Sequence, residues 1–377
     1  MKKKNIIILG ATGSVGKQSI DVIKKNLDKI NVIGLSCYKN FKSIEPQIKI
    51  LKPKFISIID PEIAALAQKK YKNIKIFSDY NGLLELSSQK ADLLLNSLVG
   101  SIGIEPTITA LQTGKDIAIA NKETLVSAGD IVKKIAKNYQ KNIFPVDSEH
   151  SAIWQTLQGE DPKKIKKIIL TCSGGPFLNI PKEKFKNITP KQALKHPTWS
   201  MGRKISIDSA TLFNKGLEII EAAKLFDLQP DQIEVVIHPQ SLVHSGVEFI
   251  DGSMILQASY PDMRLAIQYA LFYPERTKQI IPSLDFSKKI NFNFQKVDRK
   301  KFPSIDLAFQ ALKQGGTMPS VFNIANEIAV NKFFNKEIGF LDIFSIVKKT
   351  MKNHKIIKNP NLKQIIEIEK NIKSKLK

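Results

Sequence analysis

The stretch Ile6-Ile-Ile-Leu-Gly10-Ala-Thr-Gly13-Ser-Val-Gly16 decides the fold, because it joins a short apolar run directly to three evenly spaced glycines. The apolar run predicts a buried strand, and Lys17–Lys25 has the spacing of a helix. Small residues at such a turn let the backbone approach a pyrophosphate at the helix N-terminus. The spacing is G-x-x-G-x-x-G rather than G-x-G-x-x-G, so a simple tight turn is the alternative.

The same rhythm continues as far as Val146. Short apolar runs alternate with longer segments of helical spacing, which predicts a parallel sheet covered on both faces. Right-handed crossovers then give an α/β, doubly wound, Rossmann-like domain. The predicted strands are Ile6–Leu9, Val32–Leu35, Phe55–Ile59, Ile74–Phe77, Leu93–Leu95, Ile117–Ile119 and Ile143–Val146.

After Val146 the strands no longer alternate one-for-one with helices, which predicts an α+β domain. Asp251-Gly252 between two apolar runs predicts a hairpin. We expect four parts: a nucleotide-binding domain over 1–147, a catalytic domain over 148–275, a connector over 276–303 and a helical C-terminal domain over 304–377. The predicted elements of the α+β domain are the strands Ile165–Leu170, Val235–Ile237, Val243–Ile250 and Ser253–Ala258, and the helix Ala210–Phe226.

Composition excludes several classes of protein. The chain has 377 residues, 42% hydrophobic and 25% charged, which is typical of globular domains. No apolar stretch approaches the roughly 18 residues that a membrane helix needs. Ile6–Leu9 is also too short for the core of a signal peptide. Cys37 and Cys172 are the only cysteines, so a disulfide scaffold is excluded and a cytoplasmic location is expected.

The net charge of +23 suggests an anionic partner. Only four of the 58 basic residues are arginines, however, and the lysines are scattered among Ile and Asn residues. Proteins that recognise nucleic acids favour arginine, so we do not expect nucleic acid as a partner. A membrane is not expected as a partner either. A small anionic substrate remains compatible with the charge.

The end of the second predicted strand bears on the choice of cofactor. NAD sites usually place a carboxylate there, whereas this chain has Tyr38-Lys39-Asn40. A cation at this position suits the 2′-phosphate of NADPH. The alternative is that Lys39 is one more solvated lysine.

Asn121-Lys122-Glu123 follows another strand of the same sheet. Ligands of parallel sheets bind beyond the carboxyl ends of the strands, so these residues are expected where a nicotinamide and a substrate meet. In the structural alternative, Asn121 caps the following helix and Glu123 favours its first turn.

Two segments offer carboxylates for a metal ion. If the strand continues through Asp147-Ser148-Glu149, both carboxylates point to one side and suit Mg²⁺ or Mn²⁺. The alternative is that Ser148 caps a helix over His150–Leu157, with Asp147 and Glu149 near its start. On a second helix, Asn214 and Lys215 share a face with Glu218, although the lysine could form an ordinary surface pair and Glu221 could compete for the role.

Residues 195–203 combine His196, Trp199 and Gly202 in an irregular stretch. Such segments are often lids that exclude water, and a fixed turn with a buried Trp is the alternative. His238 and His244 flank a strand and are expected to be structural.

Together these motifs resemble the 1-deoxy-D-xylulose 5-phosphate reductoisomerase family of the non-mevalonate isoprenoid pathway. Motifs in one order over most of the chain are more specific than any one alone, although 276–303 and the last 50 residues match weakly. The matching motifs are Gly10-Ala-Thr-Gly-Ser-Val-Gly16, Ala120-Asn-Lys-Glu123, Pro145-Val-Asp-Ser-Glu-His150, Ser173-Gly-Gly-Pro-Phe177, His196-Pro-Thr-Trp-Ser-Met-Gly-Arg-Lys-Ile205, Asp208-Ser-Ala-Thr211, Asn214-Lys-Gly-Leu-Glu218, His238-Pro-Gln-Ser241 and Asn326-Glu327.

The resemblance implies a homodimer of V-shaped subunits, dimerising through the catalytic domain. It implies a divalent ion (Mg²⁺ or Mn²⁺, with Co²⁺ as an alternative) bound by Asp147, Glu149 and Glu218, which with Lys122 would be the catalytic residues. The substrate backbone is assigned to Lys122, Ser148 and Glu149, and Glu218 is also counted among the substrate-binding residues. The substrate phosphate is assigned to Ser173, His196, Ser209, Asn214 and Lys215. NADPH is assigned to Thr12, Gly13, Ser14, Val15, Lys39, Asn40, Asn121, Glu123 and Gly202.

The implied reaction rearranges 1-deoxy-D-xylulose 5-phosphate to an aldehyde and reduces it with NADPH to 2-C-methyl-D-erythritol 4-phosphate. Tyr38 departs from the family pattern, which often has Gly there, and puts the contacts at that position in doubt. The alternatives are another NADP-dependent dehydrogenase, which needs no three-carboxylate metal site, and a basic nucleic-acid-binding protein, whose binding would be salt-sensitive.

Overall fold

A seven-stranded parallel sheet is formed by the N-terminal apolar runs in the computed structural model, which describes residues 3–195 and 202–376. All seven predicted strands are confirmed, with small shifts at their ends. They are β1 (Lys4–Leu9), β2 (Ile30–Cys37), β3 (Phe55–Ile58), β4 (Lys75–Ser78), β5 (Leu93–Asn96), β6 (Asp116–Ile119) and β7 (Ile143–Pro145).

The strand order is β4-β3-β2-β1-β5-β6-β7, and every neighbouring pair is parallel. The order changes direction at β1, so the turn after β1 lies at the switch point where doubly wound sheets bind ligands. Residues Ile6–Leu9 are completely buried, as expected for a strand covered on both faces.

Fifteen α-helices occur in the described residues. Local caps explain several of their starts: Asp60, for example, accepts from the N–H groups of Glu62 and Ile63, and Pro61 opens the helix. The helices are α1 (Ser14–Lys24), α2 (Phe41–Leu51), α3 (Pro61–Lys70), α4 (Asp79–Ser88), α5 (Ile104–Gln112), α6 (Lys122–Asn138), α7 (Ser148–Thr156), α8 (Pro190–Ala193), α9 (Arg203–Ala210), α10 (Phe213–Phe226), α11 (Met263–Phe272), α12 (Ser304–Gln314), α13 (Met318–Phe334), α14 (Phe340–Lys352) and α15 (Leu362–Leu376).

A second, mixed sheet has the order β11-β10-β8-β9-β12. Its β8–β9 pair is parallel and its other pairs are antiparallel. The Asp251-Gly252 hairpin is confirmed, with Gly252 at φ +87°. The strands are β8 (Ile165–Cys172), β9 (Ile233–Ile237), β10 (Val243–Phe249), β11 (Met254–Ala258) and β12 (Gln295–Lys296).

Two details differ from the prediction. The helix predicted over Ala210–Phe226 begins only at Phe213, because Leu212 has a left-handed backbone (φ +56°) that separates α9 from α10. β12 lies in the segment predicted as a connector. No strand was predicted there, because Gln295-Lys296 offers no apolar pattern. The all-helical prediction from Ser304 onward is confirmed as far as residue 376.

The described residues form two compact units. The first contains the chain as far as Thr124, together with Val132–Ser151 and Asp262–Pro282, and holds the parallel sheet. The second holds the mixed sheet and α12–α15, and its core includes Phe213 packed against Phe322 at 5.4 Å between ring centroids. No described helix has the length and apolarity needed to cross a membrane. The four-part division predicted from the sequence stays a prediction.

Candidate active site

The glycine turn after β1 brings backbone amides to the start of α1. Gly10 has φ +78°, and a Cβ there would lie 2.7 Å from the carbonyl oxygen of Ser97. A Cβ on Gly16 would lie 2.3 Å from the carbonyl oxygen of Gly10, so this glycine lets the helix pack against the strand end. Gly13 caps α1 without a side-chain hydrogen bond. The helix N-terminus is therefore left open to an anion, which fits a dinucleotide pyrophosphate.

The end of β2 presents Tyr38, Lys39 and Asn40 to solvent. Tyr38 is 63% exposed, and the Asn40 side chain accepts from Ser43 N–H and caps α2. Cys37 beside them is buried, which raises its pKa to about 12. Lys39 is exposed at this loop and is therefore accessible to a phosphate.

Asn121 joins two strand ends of the first unit. Its Oδ1 accepts from Thr124 N–H at 3.0 Å and caps α6, as the structural alternative proposed. Its Nδ2 donates to the carbonyl of Leu98 at 2.9 Å and to the carboxylate of Glu123 at 3.0 Å. Asn121 can cap α6 and also contact a ligand. The cap holds its amide and the Glu123 carboxylate in place beyond the ends of β5 and β6.

Lys122 and Asp147 form an ion pair at the carboxyl ends of β6 and β7. The Asp147 carboxylate also lies 3.2 Å from Nδ1 of the buried His150. Asp147 and Glu149 have carboxylate oxygens within 4.8 Å of each other, and Ser148 Oγ donates to Glu149 at 2.6 Å. Hard oxygen donors at this spacing suit Mg²⁺ or Mn²⁺.

The backbone that achieves this is helical rather than extended, although α7 begins at Ser148 itself and not at His150 as the alternative had it. β7 ends at Pro145, and the first helical hydrogen bond of α7 runs from Ser151 N–H to the Asp147 carbonyl. Continued extension to Glu149 was therefore the wrong premise. The two carboxylates still meet, because Asp147 occupies the cap of the helix and Glu149 lies in its first turn.

In the second unit, α10 presents Asn214, Lys215 and Glu218 on one face. Asn214 Nδ2 donates to one carboxylate oxygen of Glu218 at 2.5 Å, and Lys215 forms an ion pair with the other. Lys215 and Glu218 are nearly inaccessible to solvent, so the alternative of an ordinary surface pair is wrong. Oδ1 of Asn214 is buried and accepts no hydrogen bond from the described residues.

A second glycine turn follows β8. Ser173 Oγ accepts from Gly175 N–H at 3.2 Å, and Gly174 and Gly175 have φ of +84° and +69°. A Cβ on Gly175 would lie 2.6 Å from the Ser209 carbonyl oxygen, so this turn packs directly against the end of α9. The turn that carries Ser173 is therefore adjacent to the helix that carries Ser209.

The predicted lid lies largely outside the described residues. His196 and Trp199 belong to that part, so their predicted roles stay predictions. Gly202 is described, and it caps α9 with an extended backbone.

Three family models cover most of the chain. The model for 1-deoxy-D-xylulose 5-phosphate reductoisomerase matches residues 6–129, and models for C-terminal domains of the same enzyme match 143–226 and 258–375. A relative from Thermoanaerobacter pseudethanolicus with that name is 48% identical over 99% of this chain and 98% of its own length.

The chain belongs to the 1-deoxy-D-xylulose 5-phosphate reductoisomerase family.

Solved reductoisomerases agree in fold over the whole chain. One from Zymomonas mobilis in complex with NADPH has a TM-score of 0.93 and 36% identity, covering 100% of this chain and 98% of the other. Another, in complex with NADPH, fosmidomycin and magnesium, has a TM-score of 0.94 and 37% identity, with 99% and 97% covered. The resemblance inferred from the motifs is confirmed, and the two alternative functions are not favoured.

Sequence reasoning missed several neighbours of these reductoisomerase motifs. It gave no role to His150, although a histidine three residues after Asp147 at a helix start can reach that carboxylate. It also missed the bond from Asn326 to Asp208, because no local pattern links residues 118 positions apart.

Proposed function

We propose that this chain converts 1-deoxy-D-xylulose 5-phosphate into 2-C-methyl-D-erythritol 4-phosphate, using NADPH and a divalent metal ion. Its membership of the reductoisomerase family over nearly the full length carries the proposal. In this reaction one carbon–carbon bond breaks and another forms, which gives a branched aldehyde. A hydride and a proton then reduce the aldehyde to the product alcohol.

We infer that Asp147, Glu149 and Glu218 hold the metal ion, Mg²⁺ or Mn²⁺ with Co²⁺ as an alternative. All three offer oxygen donors, and Asn214 and Lys215 orient the carboxylate of Glu218. The ion would supply electrophilic stabilisation of negative charge on substrate oxygens.

Lys122 lies beside Asp147 in the first unit. Its ammonium is paired with Asp147 and little exposed, so it is held at the carboxyl end of the sheet. From there it would donate a hydrogen bond to an oxygen of the substrate, together with Ser148 and Glu149. These contacts would orient the carbon skeleton for rearrangement.

The substrate phosphate is assigned to Ser173, His196, Ser209, Asn214 and Lys215. The close fit between the Gly175 turn and the Ser209 carbonyl supports two of these contacts, since Ser173 belongs to that turn. The ammonium of Lys215 would add a charge-assisted hydrogen bond to the phosphate.

NADPH would be held by residues of the first unit together with Gly202. The open start of α1 receives the pyrophosphate, and Lys39 receives the 2′-phosphate. The bound cofactor would supply the hydride. The assigned residues are Thr12, Gly13, Ser14, Val15, Lys39, Asn40, Asn121, Glu123 and Gly202.

The test is the consumption of NADPH with 1-deoxy-D-xylulose 5-phosphate, with Mg²⁺ and after chelation. We expect turnover only when substrate and metal are both present. The product is then identified by NMR. Metal-independent oxidation of NADPH would instead indicate another NADP-dependent dehydrogenase.

Variants assign the metal ligands. Asp147→Asn, Glu149→Gln and Glu218→Gln should each lower kcat by about a thousandfold or more, because each removes charge from the metal site. NADPH affinity, measured by fluorescence titration, should stay near the wild-type value. Glu221→Gln, one turn beyond Glu218, is the control and should be mild. Equal damage at both positions would show that the wrong face of α10 has been chosen.

We also propose that a second copy of this chain covers β11. This strand is an edge of the mixed sheet, and it exposes Met254, Ile255 and Leu256 by 49%, 39% and 41%. An apolar edge strand is a liability unless it is covered. Ile255→Glu should therefore shift the protein to monomers in sedimentation experiments. Ile50→Glu, at an equally exposed position on α2, should not.

A cytoplasmic location and the division into 1–147, 148–275, 276–303 and 304–377 remain part of the proposal. The two buried free cysteines, Cys37 and Cys172, are compatible with a reducing compartment.

A further inference from the structure

The carboxylate of Asp208 lies buried between two donors. Asp208 belongs to α9 and is 1% exposed. Lys204, one turn earlier on the same helix, donates to Oδ2 at 2.7 Å, and Asn326 of α13 donates from Nδ2 to Oδ1 at 2.7 Å. A buried carboxylate requires such partners, so Asp208 is a strong link between α9 and α13.

Asn326 makes the hydrogen bond that joins α13 to Asp208. It is completely buried, and its Oδ1 accepts no hydrogen bond from the described residues. A second contact joins the same two helices, since the guanidinium of Arg203 lies 5.0 Å from the ring centroid of Phe334. Arg203 lies at the start of α9 and Asp208 in its last turn, so α9 contacts α13 near both of its ends.

Helix α9 carries groups of the proposed site. Gly202 precedes it, and Ser209 comes directly after Asp208. Because a Cβ on Gly175 would lie only 2.6 Å from the Ser209 carbonyl oxygen, the turn that carries Ser173 fits against α9 with no space to spare. A small rotation of α9 would therefore change the position of Ser209 relative to Ser173.

We propose that Asp208 is a positioning residue for substrate binding: through Asn326 it sets the rotation of α9 and thereby aligns Ser209 with Ser173 around the substrate phosphate. The inference rests on the proposed function, because that function assigns the two serines to the phosphate. Asp208 itself touches no substrate in this arrangement.

Asp208→Asn is the first variant. It keeps the size of the side chain but removes its negative charge, so the charge-assisted hydrogen bonds from Lys204 and Asn326 that hold α9 in place are weakened. We expect KM for 1-deoxy-D-xylulose 5-phosphate to rise about tenfold or more, because a binding group is displaced. KM for NADPH should stay within about twofold of the wild type, since the cofactor contacts lie mainly on the first unit.

Asn326→Ala is an independent variant that acts on the same carboxylate from α13, and it keeps the test valid if Asp208→Asn does not fold. The exchange Asp208→Asn with Asn326→Asp restores one amide–carboxylate hydrogen bond with the roles reversed. We expect this double variant to recover most of the lost affinity for substrate. If Asp208 only filled space in the core, the second substitution would not restore that affinity.

Glu369→Gln is the matched control. Glu369 is a buried carboxylate on α15 that accepts from Ser320 of the same α13 at 3.3 Å, and neither of these residues is assigned to the substrate. It should lower the thermal midpoint without changing KM for the substrate. If Asp208→Asn and Asn326→Ala behave like Glu369→Gln, Asp208 is only structural and the inference is overturned.

Failure of the proposed function is recognised separately, by a wild-type protein that does not oxidise NADPH with this substrate. The variants are therefore also titrated with inorganic phosphate while thermal unfolding is followed. Loss of the phosphate-induced shift in Asp208→Asn and its return in the double variant support the positioning role whichever sugar phosphate is used. An equal shift in wild type and Asp208→Asn contradicts it.

Discussion

The two glycine turns of this molecule would contribute to the two proposed anion sites in different ways. The turn after β1 leads straight into α1 and offers the unpaired backbone amides of a helix start. The turn after β8 offers Ser173 and depends on side chains from other elements, Ser209 of α9 and Lys215 of α10. The first is complete within one strand–turn–helix segment, whereas the second exists only after distant elements have packed. The first site should therefore be sensitive to backbone shape, and the second to individual charges.

Lys215→Met tests that dependence on charge and should have the largest effect. It removes the cation assigned to the phosphate and leaves the buried Glu218 without its ion-pair partner. The two losses together should lower kcat/KM for the substrate by about a thousandfold, with KM for NADPH nearly unchanged.

The matched control for Lys215→Met is Lys224→Met on the same helix. Lys224 pairs with Asp130 at 2.7 Å, but Asp130 is largely exposed, so this pair contributes little. An equal loss of activity in both variants would contradict the assignment of Lys215 to the substrate phosphate.

Lys39→Glu asks whether the first site also uses a side-chain charge. A charge-assisted contact to the 2′-phosphate contributes about 1.5–3 kcal/mol, so the preference for NADPH over NADH should fall roughly tenfold to a hundredfold. Steady-state kinetics with both cofactors measure the ratio. A wild type that uses NADH equally well would refute this interpretation of the β2 loop.

Gly16→Ala probes backbone shape at the first turn. The added Cβ would lie 2.3 Å from the Gly10 carbonyl oxygen, so the strand end and the helix must move apart. We expect KM for NADPH to rise about tenfold, with little change in KM for the substrate. Gly114→Ala is the control, because it has φ +83° but no atom within 4 Å of the new Cβ.

Gly175→Ala is the corresponding change at the second turn and should have the smallest effect of the four. The new Cβ would lie 2.6 Å from the Ser209 carbonyl oxygen, and φ +69° adds backbone strain. We expect KM for the substrate to rise about fivefold. Gly252→Ala has similar strain in open space, so an effect of equal size there would attribute the loss to strain alone.

The difference between the turns also explains what the sequence could predict. The β1 turn was predictable, because its strand, glycines and helix are contiguous. The meeting of Asp147 and Glu149 was predicted for the wrong backbone, since a run of four residues does not show whether a strand continues or a helix begins. The second site was predictable only by residue type, because the packing of Gly175 on Ser209 needs the tertiary fold.

Leu212 is the clearest case that local chemistry could not anticipate. Leucine rarely adopts a left-handed backbone, so the sequence favoured one continuous helix from Ala210 to Phe226. Tertiary contacts override that preference: Leu212 is buried, and Ser304 of α12 donates to the carbonyl of its neighbour Thr211 at 2.7 Å.

The same junction has a consequence for hydrogen exchange. Leu212 N–H donates to the Ser209 carbonyl, and Gly216 N–H donates to the Leu212 carbonyl, so amides on both sides of the break are occupied. Chain breaks between helices usually exchange their amide protons quickly, because local opening there costs little free energy. In this chain the amides of Thr211, Leu212 and Gly216 should instead exchange as slowly as those inside α10, because opening them requires α12 to detach as well. The shortest link between the two helices is then one of the last places in the second unit to open.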